Sequence, residues 1–115
     1  MTDLLFSFEQ LFGKPKQLSA YFCPGRVNLI GEHIDYLGGL VLPTAVSLGI
    51  TALYTKNDRN EIRIHSTDFQ ETCTLDLNSI PTEKQHHWTD YIVGVIQFLQ
   101  EKQIPILGCD VILSS

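Results

Sequence analysis

The chain is poor in the residues that would place it in several functional classes. Three cysteines among 115 residues, Cys23, Cys73 and Cys109, are odd in number, widely spaced and without a Cys-x-x-Cys pair. That pattern argues against a disulfide framework or a zinc site and fits a reducing cytoplasm. Basic residues are scarce as well: eight Lys and Arg against thirteen Asp and Glu give a net charge of −5. With no basic stripe, nucleic acid and anionic membrane are poor partners. No apolar run approaches the ~20 residues of a membrane span, and the first residues lack the basic, long apolar pattern of a signal segment. Low-complexity tracts and internal repeats are missing too. A length of 115 residues amounts to one domain with a small core.

The phosphate-binding loop of nucleotide enzymes is also lacking. Gly13-Lys14-Pro15-Lys16 has neither the upstream glycine nor the Ser or Thr after lysine, and reads as a connector. Before it, Leu4, Leu5, Phe8, Leu11 and Phe12 recur at helical spacing over residues 1–13, behind a Thr2 or Asp3 cap, with Gly13 as the stop. Strands are expected at 17–22, 40–42 and 47–54, with a polar turn over 56–60. Residues 61–66 and 71–78 alternate polar and apolar, which predicts an antiparallel meander with one face on the core. Trp88, Tyr91, Ile92, Val95, Ile96 and Leu99 mark a helical stripe ended before Pro105, and residues 109–113 form a last apolar strand. His86-His87 invites a metal reading with His33 or His65, but no carboxylate or cysteine stands at ligand spacing beside the pair. No residue is assigned to a metal.

Chemistry concentrates in Cys23-Pro24-Gly25-Arg26-Val27-Asn28-Leu29-Ile30-Gly31-Glu32-His33-Ile34-Asp35-Tyr36-Leu37-Gly38-Gly39. Pro24-Gly25 is a turn signal, since proline presets one dihedral and glycine permits the positive one. Residues 27–30 suit a short strand that Gly31 ends. Glu32, His33 and Asp35 then put two carboxylates and an imidazole into a segment too short for an independent helix. Such a set suits a ligand with neighbouring hydroxyls, and the permanently charged Arg26 suits a phosphoryl group moving toward one of them. Composition and spacing fit a solvated hairpin tip equally well, with the Arg26 stem lying on apolar neighbours.

Residues 24–36, followed by Gly38-Gly39 and Leu40-Val41-Leu42-Pro43, resemble the galactokinase signature of the GHMP small-molecule kinases. The resemblance implies ATP-dependent phosphorylation of the anomeric hydroxyl of galactose. It gives Arg26 the role of stabilising the transferring phosphoryl group, and Glu32, His33 and Asp35 that of holding sugar hydroxyls. Three positions depart from the pattern: Cys23 where alanine is usual, Ile34 where threonine is commonest and Leu37 where asparagine is frequent. None removes a charge, and Ile34 also resembles the N-acetylgalactosamine kinase branch.

Two further segments resemble the same family. Ser66-Thr67-Asp68-Phe69 matches a Ser-x-x-Phe pattern whose serine contacts the nucleotide, which implies Ser66. Trp88-Thr89-Asp90-Tyr91-Ile92-Val93-Gly94-Val95 is similar to a segment whose tryptophan lies against adenine, which implies Trp88. Asp90 there replaces the usual asparagine and adds a charge.

The family places a glycine- and serine-rich phosphate loop directly after a strand like residues 110–115. The sequence stops before that loop, the magnesium ligands, the aspartate facing the sugar hydroxyl and a C-terminal domain. The expectation is therefore an α+β fold, a mixed, mostly antiparallel sheet flanked by helices, being the N-terminal portion of a galactokinase-type enzyme over residues 1–115. Its partners would be galactose and ATP, with Mg2+ held outside this chain, and the full-length enzyme a cytoplasmic monomer. Alone, the chain is expected to be inactive and to expose apolar patches that favour self-association. The alternatives are an N-acetylgalactosamine kinase or a non-catalytic galactose- and ATP-binding sensor.

Overall fold

Along the chain the elements run α1 (Thr2–Phe12), β1 (Ser19–Ile30), β2 (Leu42–Lys56), β3 (Glu61–Ser66), β4 (Glu71–Asp76), α2 (Asp90–Glu101) and β5 (Cys109–Ser114). The computed structural model describes residues 2–31 and 37–115. Helix α1 ends where the sequence predicts: Gly13 takes φ +86° and its N–H reaches the Glu9 carbonyl at 2.9 Å. A residue without Cβ adopts that left-handed stop without strain.

The five strands form one mixed sheet in the order β1-β2-β5-β3-β4. Three of its four pairings are antiparallel, and β3 with β5 is parallel. The segments expected at 61–66 and 71–78 do pair antiparallel, as β3 and β4, but the meander does not continue to β2, because β5 inserts between β2 and β3. Its apolar side chains are the reason: Cys109 and Ile112 are buried on opposite faces, which only a central strand can satisfy.

Pro24-Gly25 is not a turn either. Strand β1 runs through it, and the register jumps from Pro24 opposite Gly49 to Arg26 opposite Ala45, so that Val46, Ser47 and Leu48 bulge from β2 opposite Gly25. Proline, with no N–H to donate, is tolerated because β1 is the outer strand. The strands expected separately at 40–42 and 47–54 are a single strand, β2.

The alternation of β3 and β5 divides the core between the two sheet faces. On one face, Ile62, Ile64, Leu75 and Cys109 pack with Val93 and Ile96 of α2, and Trp88 and Ile92 lie against them. On the other, Leu53 and Ile112 close over Phe8 of α1, which is fully buried. Only residues 51–56 of β2 pair with β5, so the remainder of the β1–β2 ribbon projects past the end of β5. The radius of gyration is accordingly 16.4 Å, against ~13 Å for a compact chain of this length. Phe22, Val27, Leu29, Ile30, Leu42, Leu48 and Ile50 on this ribbon are exposed.

Candidate functional site

Strands β1, β3 and β5 run in one direction, so their C-terminal ends lie along one edge of the sheet. Every described residue implicated in function is at or beyond this edge. Arg26 sits on the projecting ribbon, exposed, directly after the register jump. Gly31 closes β1 with φ +93°. A Cβ there would lie 2.5 Å from the Leu40 carbonyl oxygen and 2.9 Å from Val41 Cα, which only glycine avoids. The chain leaves β1 and returns to β2 through that close approach. Glu32, His33 and Asp35, between those two points, lie outside the described residues.

Ser66 and Trp88 meet at the other end of the edge through Phe69, the aromatic position of the Ser-x-x-Phe pattern. Ser66 is buried at 4 % exposure, and its Oγ accepts the Phe69 N–H at 3.3 Å. That bond turns the chain so that the Phe69 ring stacks on Trp88, 5.8 Å between centroids and 6° from parallel. One indole face is thereby covered by an aromatic ring that is itself 62 % exposed. A flat, half-open aromatic ledge of this kind suits a planar heterocycle. Ser66 acts here by setting Phe69.

Asp90, the departure from asparagine, has a structural role. Its carboxylate accepts the N–H groups of Gln85 at 3.2 Å, His86 at 2.9 Å and His87 at 3.4 Å. Burial alone would raise its pKa, but these donors outweigh that and hold it below the usual carboxylate range. The added charge thus pins the loop before Trp88, where His86 takes φ +55°.

Arg26 is kept apart from this ledge. It pairs with Ala45, whereas Ser66 is level with Leu113 and, through it, with Ala52. The separation is three inter-strand spacings, ~15 Å, and the five residues of β1 from Tyr21, opposite Ala52, to Arg26, ~17 Å along the ribbon. A separate cleft of about 310 Å³ lies where α1 meets the sheet, lined by Asp3, Leu4, Ser7, Thr51, Thr67 and Ser114.

Two polar clusters had no signal in residue spacing. Arg63 and Asp110 are register partners on the parallel pair β3–β5. Arg63 Nε and Nη2 donate to the two Asp110 oxygens at 2.7 and 2.6 Å, and Asn57 Nδ2 adds a third bond at 2.8 Å. The second cluster joins Glu71, Cys73 and His87. Both unite residues remote in sequence, so spacing carried no signal of either.

No helix among the described residues is long and apolar enough to cross a membrane. Residues 7–56 match the family model described as the galactokinase galactose-binding signature. Over 102 residues the chain is 44 % identical to a galactokinase of Streptococcus thermophilus, covering 87 % of this chain and 26 % of the relative. It is 36 % identical over 114 residues to a galactokinase of Clostridium tetani, covering 99 % of this chain and 29 % of that one. The solved structure of Lactococcus lactis galactokinase complexed with galactose matches 99 % of this chain and 30 % of its own, with TM-score 0.91 and 30 % identity. Mevalonate kinase of Methanococcus jannaschii shares the fold over 87 % of this chain and 33 % of its own, with TM-score 0.67 at 23 % identity. The signature around Arg26, the α+β architecture and these likenesses agree: the chain carries the galactokinase galactose-binding signature over residues 7–56, is similar to galactokinases along most of its length, and spans about a quarter of the length of the curated relatives it matches.

Proposed function

We propose that this polypeptide forms part of a galactokinase that transfers the γ-phosphoryl group of ATP to the anomeric hydroxyl of galactose. The observation that carries the reading is the family signature over residues 7–56, which contains Arg26, Glu32, His33 and Asp35 in unbroken order. In this reading Glu32, His33 and Asp35 accept and donate hydrogen bonds to sugar hydroxyls. Arg26, with its guanidinium projecting from the ribbon, stabilises charge on the transferring group. Adenine lies at Trp88, and Ser66 positions the Phe69–Trp88 pair that receives it. Mg2+ neutralises the phosphate oxygens when bound, through ligands beyond these 115 residues. The exposed ribbon face, with Leu29, Ile30, Leu42 and Leu48, is where further chain of the whole enzyme packs.

Calorimetric titration of the chain with galactose tests the sugar site. Heat of binding is expected for the wild type and none for Asp35→Ala; equal heats would count against the site. N-acetylgalactosamine, titrated in parallel, is expected to give less heat than galactose. Phosphoryl transfer depends on positioning and charge neutralisation that the ribbon alone does not supply. The chain by itself is therefore expected not to turn over galactose and ATP in a coupled assay, and normal turnover would refute that division of labour.

A further inference from the structure

Three different metal-ligating side chains converge beside Trp88. Glu71 and Cys73 are two positions apart on β4, the outer strand, so both point to the same sheet face, the one α2 covers. His87 reaches them from the loop that Asp90 pins. Glu71 Oε1 receives His87 Nε2 at 2.7 Å and Cys73 Sγ at 3.3 Å, and the three ligand atoms lie within 4.8 Å of one another. We propose that Glu71, Cys73 and His87 form a binding site for a borderline divalent cation of the Zn2+ class, with the fourth coordination position open to solvent.

The donor set selects the ion. One thiolate, one imidazole and one carboxylate suit zinc or cobalt at bond lengths of about 2.0–2.3 Å, whereas Mg2+ demands oxygen ligands in an octahedron. The His87 Nδ1 lies 2.8 Å from Oγ1 of the buried Thr89 and accepts the Thr89 N–H at 3.3 Å, so without metal the ring proton sits on Nε2, against Glu71. A cation taking Nε2 moves that proton to Nδ1, where Thr89 Oγ1 can accept it. Stability does not account for the convergence. The Glu71 and His87 side chains are 45 % and 32 % exposed, and an ion pair so placed contributes little.

Binding is balanced simply. The Cys73 thiol gives up one proton to solvent, the Glu71 carboxylate is already ionised, and the cation replaces the two hydrogen bonds now gathered on Glu71 Oε1.

The test is a titration of the reduced chain with Co2+ alone, then with Zn2+. The expected result is thiolate-to-cobalt charge-transfer absorption saturating at one ion per chain and displaced by Zn2+ but not by Mg2+. Fluorescence of Trp88, the single tryptophan, should be quenched in step, since its ring is 5.3 Å from that of His87. Cys73→Ser should abolish the charge-transfer band, His87→Gln and Glu71→Gln should each weaken binding at least tenfold, and Cys23→Ser should change nothing. Thr89→Val should weaken affinity about tenfold through His87 alone. A wild type without the band, or a band that survives Cys73→Ser or disappears with Cys23→Ser, overturns the proposal. If Cys73→Ser does not fold, as judged by circular dichroism, the two glutamine variants decide, and unchanged Co2+ affinity in both overturns it.

Discussion

Replacing Asp110 by alanine would test what holds β3 against β5. Asp110 is 4 % exposed and accepts three hydrogen bonds from Arg63 and Asn57. The Arg63 side chain is 21 % exposed and lies with its guanidinium 5.0 Å from the Phe12 ring centroid. Truncation would strand a largely buried cation and an amide donor, so the penalty is that of breaking a buried pair, about 3–5 kcal/mol. A domain of this size has roughly 6–17 kcal/mol in total, and the loss corresponds to a fall in Tm of about 10–20 °C. Urea unfolding followed by circular dichroism would measure it. The partnered replacement, Arg63→Met with Asp110→Leu, should recover most of the loss, because no buried charge is then left uncompensated. A cost below about 1 kcal/mol for Asp110→Ala would refute the reasoning.

The same residue sets a pH dependence. Burial alone would raise the Asp110 pKa, but the Arg63 and Asn57 hydrogen bonds outweigh it and hold the carboxyl below its ordinary value. A depressed folded pKa contributes stability that is fully present above the unfolded value of about 3.9 and is lost as pH falls from there through the folded value. Wild-type stability should therefore fall on acidification below about pH 4 more steeply than that of the Met/Leu double variant.

Two other perturbations probe the ribbon and the core. Gly49→Ala should lower stability by about 1–3 kcal/mol in the same assay, since its Cβ would strike the Cys23 carbonyl and lie 2.7 Å from Pro24 Cα. Alkylation at neutral pH, followed by mass spectrometry, should modify exposed Cys23 first and Cys109 last. Burial, and after it the charge of Asp110, pushes the Cys109 thiol up to about 11, leaving almost no reactive thiolate.

Local periodicity was enough for α1, α2, β3, β4 and β5, because each buries one stripe or one alternating face and the residues that do so follow one another. The family motif was equally local: Arg26, Glu32, His33 and Asp35 fall within twenty consecutive positions and are read without any long-range pairing. Strand order was not local. Pro24-Gly25 has the composition of a turn, yet an outer strand runs through it and the bulge falls on the strand facing it. Residues 109–114 take the centre of the sheet because both of their faces need covering. Arg63 with Asp110, Ser66 with Trp88 through Phe69, and Glu71 and Cys73 with His87 became neighbours only once that order was set. Side-chain chemistry is written residue by residue, but which groups face each other depends on a non-local balance between burying apolar surface and satisfying backbone hydrogen bonds.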